Sequence, residues 1–115
     1  MARFTNKVVV VSGAGSVGPG WGNGRAIAVQ MVGEGAHVLA LDRDLSRMDE
    51  TLSLAQKAAL SSGGSIEAMA CDVTVSEGIK ACVDHAMARW GRIDVLVNNV
   101  GGSAAGGPVE MSEAV

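Results

Sequence analysis

Four consecutive valines, Val8–Val11, run straight into a segment from Gly13 to Gly24 in which every second or third residue is glycine. An unbroken β-branched run has no polar face to turn towards water, so it fits a strand buried on both sides, as in a parallel sheet covered by helices. After the glycines, Arg25 to Val32 reads as a helix, with Asn23 as its N-cap and Gly33 and Gly35 available to end it. Val38 to Leu41 makes a second buried strand. From Leu45, the apolar positions Leu45, Met48, Leu52, Ala55 and Ala59 recur every three or four residues with Arg47, Glu50, Gln56 and Lys57 between them. That is an amphipathic helix, closed by Gly63 and Gly64. Ile66 to Ala70 is a third strand. Ile79, Cys82, Val83, Ala86 and Trp90 mark the inner face of a third helix ended by Gly91, and Ile93 to Val97 is a fourth strand. The alternation β-α-β-α-β-α-β with short connections predicts an α/β fold, a parallel sheet with right-handed crossovers. Residues 1–115 are expected to form one domain that stops after its fourth strand.

Composition narrows the function classes. With 48% hydrophobic and 18% charged residues the chain can build a core and is not a disordered tail. A net charge of −3 argues against nucleic acid, which needs clustered Lys and Arg. Cys71 and Cys82 stand in apolar contexts without Cys or His at metal-ligand spacing, so reduced thiols and no metal are expected. The apolar run at Val8–Val11 is too short for a signal peptide or a membrane span, which suits a cytoplasmic protein. Tyr is absent, so no chemistry that requires a phenol can come from these residues.

In an open parallel sheet, ligands bind beyond the carboxyl ends of the strands. The glycine segment after the first strand lies there and can be read in two registers. Gly13-x-Gly15-x-x-Gly18 matches the dinucleotide fingerprint literally, but Pro19-Gly20-Trp21-Gly22 is poor material for the helix that should follow. In the other register the helix starts at Asn23-Gly24, so Gly22 and Gly24 stand at its N-terminus, where free N–H groups and the helix dipole attract a pyrophosphate. An acid is then expected about twenty residues on. Asp42, eighteen residues beyond Gly24, fits. A carboxylate there can accept both ribose hydroxyls and repels a 2′-phosphate, which favours NAD over NADP. Arg43 is either a receiver for such a phosphate or an exposed loop residue. Trp21 folds over a cofactor or packs on its own loop. His37 and His85 read as packing or surface residues, and Asp94 has no paired carboxylate at a useful spacing.

Ser12-Gly13, Gly22-Asn23-Gly24, Cys71-Asp72-Val73 and the run Gly91 to Gly101 containing Asn98-Asn99-Val100-Gly101 together closely resemble the short-chain dehydrogenase/reductase family. The resemblance implies a Rossmann-like, doubly wound sheet and covers the cofactor-binding half of the family. The family's glycine motif is Thr-Gly-x-x-x-Gly-x-Gly. Here Ser12 replaces Thr, and eight residues, Ala14 to Trp21, stand where the motif has three, an insertion of five. Carried over residue by residue, Gly13, Gly22 and Gly24 would hold the pyrophosphate. Asp72 would receive the adenine amino group and Val73 complete the adenine contact, with a helix cap as the structural alternative for Asp72. Asn98, Asn99 and Gly101 would stabilise the central sheet and border the adenine ribose, with Val100 in place of Ala.

The family's catalytic Ser, Tyr-x-x-x-Lys pair and Asn lie beyond the Asn-Asn strand, and members are longer than this chain. Pro108 to Glu113 reads as the start of a fourth helix. The resemblance therefore implies an NAD-binding portion of an oxidoreductase that transfers hydride between cofactor and an alcohol or carbonyl substrate. These 115 residues alone are expected to be inactive, with no catalytic residue among them. The complete protein is expected to be a homo-oligomer that engages neither nucleic acid nor membrane. Two other readings are a non-catalytic nucleotide-binding module and a Rossmann-like methyltransferase fragment using S-adenosylmethionine. An uncovered Val95-Leu96-Val97 edge is expected to leave the isolated chain marginally folded or self-associating.

Overall fold

The valine run forms β1 (Val8–Ser12), and all five residues are buried. The computed structural model describes residues 3–15, 23–72 and 75–98. After β1 come α1 (Asn23–Gly33), β2 (His37–Asp42), a 3-10 turn (Leu45–Met48), α2 (Asp49–Ser62), β3 (Ser65–Ala70), α3 (Ser76–Trp90) and β4 (Val95–Asn98). The strands form one parallel sheet in the order β3-β2-β1-β4. The chain steps outward from β1 to β3 and then returns to lay β4 on the other side of β1, so the strand order reverses between β1 and β4.

Alternation along β1 explains why every valine is apolar. Val9 and Val11 pack on one face against Ala28 and Val32 of α1 and Met48 and Ala55 of the 3-10 turn and α2. Val10 points to the other face, with Leu39, Leu41, Cys71, Cys82 and Ala86. Two layers of helix thus cover one sheet, and β1 lies under both.

The elements differ from expectation at places with a local cause. α1 begins at Asn23 itself, so Asn23 is a helical residue and not the flanking cap. Leu45 does not open an α-helix. Asp44 accepts the Ser46 N–H at 3.0 Å and its hydroxyl at 2.6 Å, which winds residues 45–48 into the tighter 3-10 turn, and Leu45 is exposed. β4 starts at Val95, two residues later than the apolar pattern suggests. Asp94 uses its side chain where a strand would use its backbone: Val8 N–H donates to Asp94 Oδ2 at 2.8 Å while Asp94 N–H donates to the Val8 carbonyl at 2.8 Å. On α3 the expected inner face is only partly inner. Cys82 and Ala86 are buried, but Ile79 (41% exposed) and Val83 (38%) form an exposed stripe with Val75 and Met87 at four-residue spacing. Among the described residues β4 has β1 as its sole strand partner.

The two histidines serve packing and surface pairing. His37 stacks on Trp90 with ring centroids 6.2 Å apart and has Nδ1 2.8 Å from the Ser65 hydroxyl. His85 Nε2 lies 3.2 Å from Glu67 Oε1.

Candidate functional site

The parallel register brings the carboxyl ends of all four strands to one edge. Ser12 pairs with Leu41 on one side and Asn98 on the other, and Asp42 pairs with Ala70. Asp72 follows β3 by two residues, and the Cys71 N–H donates to the Asp42 carbonyl at 2.9 Å. Ser12, Gly13, Asp42, Asp72 and Asn98 therefore share this edge, and Asn23 and Gly24 open the helix that leaves it. Gly22, Val73, Asn99 and Gly101, with Trp21, lie outside the described residues, as does the side chain of Asn23.

Ser12 is 3% exposed and ties the edge together at the reversal point. Its hydroxyl lies 3.0 Å from Asn98 Oδ1 and 3.3 Å from the Val97 carbonyl, so its one proton is shared between two acceptors on β4. Here Ser keeps the hydroxyl that Thr supplies in the family motif. Gly13 then turns the chain with φ of +65°, a left-handed conformation that costs little only at glycine.

Past the turn, the loop is stitched to the end of β2. Ala14 N–H donates to the Leu41 carbonyl at 3.0 Å, and Gly15 N–H donates to Asp42 Oδ2 at 3.1 Å. The other oxygen, Asp42 Oδ1, accepts the Asp44 N–H at 3.1 Å. A carboxylate has about four lone-pair positions, and these two backbone bonds occupy about two. One acceptor position on each oxygen stays available, in a half-buried side chain held by backbone on both sides. Such a group fits a pair of vicinal hydroxyls.

Gly15 entered the loop reading only through the literal fingerprint register, which was set aside, and the structure gives it a packing role. A Cβ there would lie 2.8 Å from Arg47 Cβ, 2.9 Å from Asp42 Oδ2 and 3.0 Å from the Arg47 carbonyl. Arg47 is a residue the loop reading missed: it lies beside the loop and reaches Asp44 Oδ2 with Nε at 3.6 Å. Arg43 is exposed and has no ion pair among the described residues. Asp44 sits below the usual carboxylate range because the Ser46 hydroxyl and N–H donate to it.

Asp72 does not cap α3. The flanking residue is Val75, which has no side-chain cap, and its N–H donates to the Asp72 carbonyl at 3.0 Å. Cys71 and Cys82 are both free and buried, and burial among apolar groups together with Cys71 pushes the Cys82 thiol up to about 12. Among the described residues no cluster of His, Cys, Asp and Glu could hold a metal ion, and no helix is long and apolar enough to cross a membrane.

Comparison with known proteins agrees with this fold. The family model described as short chain dehydrogenase matches residues 7–115. The 3beta-hydroxysteroid dehydrogenase of Mediterraneibacter gnavus is 36% identical over 113 residues, covering 98% of this chain and 38% of that protein. A crystal structure of a short-chain dehydrogenase/reductase-type protein from Burkholderia xenovorans superposes with a TM-score of 0.83 at 54% identity, over 94% of this chain and 40% of the other. An NAD+-bound xylitol dehydrogenase superposes with a TM-score of 0.72 at 31% identity, over 86% of this chain and 35% of the other. The chain thus spans 34–39% of the length of the curated relatives it matches. The methyltransferase reading finds no support in these matches. From its sequence motifs to its strand order, this chain belongs to the short-chain dehydrogenase family.

Proposed function

We propose that these residues form the NAD-binding portion of an oxidoreductase acting on a small alcohol or carbonyl compound. Bound nicotinamide dinucleotide supplies or takes up the hydride in such a protein. The chain's own residues bind and orient it. Gly13, Gly22 and Gly24 let backbone N–H groups approach the pyrophosphate, Asn23 and Gly24 stand at the positive end of α1, and Asp72 with Val73 lines the adenine. Asn98, the last residue of β4, borders the ribose together with Asn99 and Gly101, which follow it in the sequence, and Ser12 holds Asn98 in place. The chain alone turns over no substrate, and the complete protein is a cytoplasmic homo-oligomer.

The observation that carries the reading is Asp42, with both oxygens fixed by backbone N–H groups and one acceptor position left on each. It accepts the two hydroxyls of an adenosine ribose. A 2′-phosphate near 4 Å would instead meet repulsion of about 4 kcal/mol per pair of unit charges at an effective dielectric of 20. Arg43, exposed beside it, is a feature that favours NADP.

Titrating the purified chain with NADH and NADPH tests this. NADH binds more tightly, and Asp42→Ala narrows the difference by weakening NADH and relieving NADPH. Tighter binding of NADPH by the unsubstituted chain would reverse the assignment, with Arg43 as the receiving residue.

A further inference from the structure

Arg25 is a charged side chain only 4% exposed, in the first turns of α1 and immediately after Gly24. A guanidinium is buried at a cost unless its donors are placed. Here Nε donates to Thr51 Oγ1 at 2.9 Å, and one terminal nitrogen pairs with Glu50 Oε1 at 2.9 Å. Thr51, on α2, is itself fully buried. Its hydroxyl has one proton and cannot give it to a guanidinium, which has no acceptor. The proton is therefore directed to the Ala14 carbonyl, 3.0 Å away.

This relay joins the two ends of the glycine segment. Ala14 is the residue after Gly13, and Arg25 is the residue after Gly24. Between them the chain is five residues longer than the family's motif, and a longer loop leaves its ends less constrained by its own length. The relay fixes those ends from outside, through α2. We infer that Arg25 and Thr51 are positioning residues for the dinucleotide, a buried clasp that sets the distance between the turn at Gly13 and the start of α1. The inference rests on the dinucleotide reading proposed above. Neither residue touches the cofactor. They act by holding the backbone N–H groups at both ends of the loop where one pyrophosphate can meet them.

The test is NADH titration of the purified chain, well below its melting temperature, with Thr51→Val and Thr51→Ser. Valine keeps the shape and loses the hydroxyl, and serine keeps the hydroxyl. Thr51→Val raises the NADH Kd about tenfold, the equivalent of one lost buried hydrogen bond, and Thr51→Ser stays within about twofold of the unsubstituted chain. Val32→Ala, in the last turn of α1 and the core, lowers the melting temperature and leaves Kd unchanged. Should Thr51→Val not fold, Arg25→Met, which leaves the Thr51 proton undirected, gives the same rise. An unchanged Kd in Thr51→Val, or an equal rise in Val32→Ala, overturns the inference alone. Failure of the unsubstituted chain to bind either dinucleotide overturns the proposed function and this inference with it.

Discussion

Gly15→Ala tests whether the loop is held against the segment after β2. The backbone of Gly15 does not have positive φ, so alanine can adopt its conformation. In open space the substitution would therefore stabilise by about 0.4–1 kcal/mol through the unfolded chain. The space is closed. The new Cβ meets Arg47 Cβ at 2.8 Å and the Arg47 carbonyl at 3.0 Å, atoms that move only with the 3-10 turn itself. Overpacking of this kind costs about 1–3 kcal/mol. The third contact, Asp42 Oδ2 at 2.9 Å, is the one atom that can swing away, at the expense of its bond to the Gly15 N–H. Losing that bond adds about 1 kcal/mol. Steric cost exceeds the entropic gain, for a net destabilisation of about 2 kcal/mol, or about 8–10 °C in melting temperature for a domain of this size. Thermal unfolding followed by circular dichroism reads the first effect. NADH titration reads the second: on the proposed ribose role of Asp42, a displaced carboxylate loses that contact and Kd rises. A melting temperature within about 2 °C of the unsubstituted chain, together with an unchanged Kd, would show that Gly15 does not need its missing side chain.

Two further outcomes follow from the opposite edge and the exposed face. Arg92 donates to both Asp94 oxygens, at 2.7 and 2.9 Å, and with the Val8 N–H holds this carboxyl below its usual range. A depressed folded-state value means stability that is present above the unfolded value of about 3.9 and lost as pH falls through the folded one. Asp94→Asn is therefore less stable than the unsubstituted chain at pH 7, by about 1 kcal/mol or less because Arg92 is half exposed, and urea melts show that gap closing below about pH 4. The stripe Val75, Ile79, Val83 and Met87, with the side of β4 that has no strand partner among the described residues, makes the isolated chain self-associate. Sedimentation velocity shows species growing with concentration, and Ile79→Lys with Val83→Lys reduces them; a monodisperse monomer that unfolds cooperatively would refute this.

How much was legible in the sequence follows the physics of each signal. The valine run and the periodic apolar positions of α2 determine burial directly, so element order and parallel pairing were readable. The ends of elements were set by side chains that compete with backbone: Asp44 winding the 3-10 turn, Asp94 substituting for a strand residue. Nothing in a periodic pattern announces such competition. On α3, apolar spacing predicted an inner face, but spacing reports only that residues share a stripe, and which part of it is covered depends on neighbours. At the candidate site, Asp42 was singled out by its distance from the glycines, and the structure places it at the same sheet edge as Ser12 and Gly13. Arg25, Thr51, Arg47 and the packing role of Gly15 were not singled out, because they arise where α2 and its leading turn fold back over the loop. A signal for one of them existed: an Arg directly after the glycine segment, in the first turns of a helix that must bury a face, needs a buried partner.

The two aspartates at opposite ends of the sheet show why position in the sequence alone cannot assign a ligand. Each stands at a strand terminus, and each accepts a backbone N–H on Oδ2. Asp94 is then filled by a bidentate guanidinium two residues away, and its remaining acceptor positions are used within the fold. Asp42 has a guanidinium next to it in sequence as well, yet Arg43 is exposed and makes no ion pair with it. Its partners are backbone N–H groups on two sides, which fix its direction without filling its acceptors. One carboxylate is consumed in closing the register of β1 on β4. The other is oriented and left with capacity, at the edge where the glycine loop departs, and that difference is the ground for the proposal that cofactor choice turns on it.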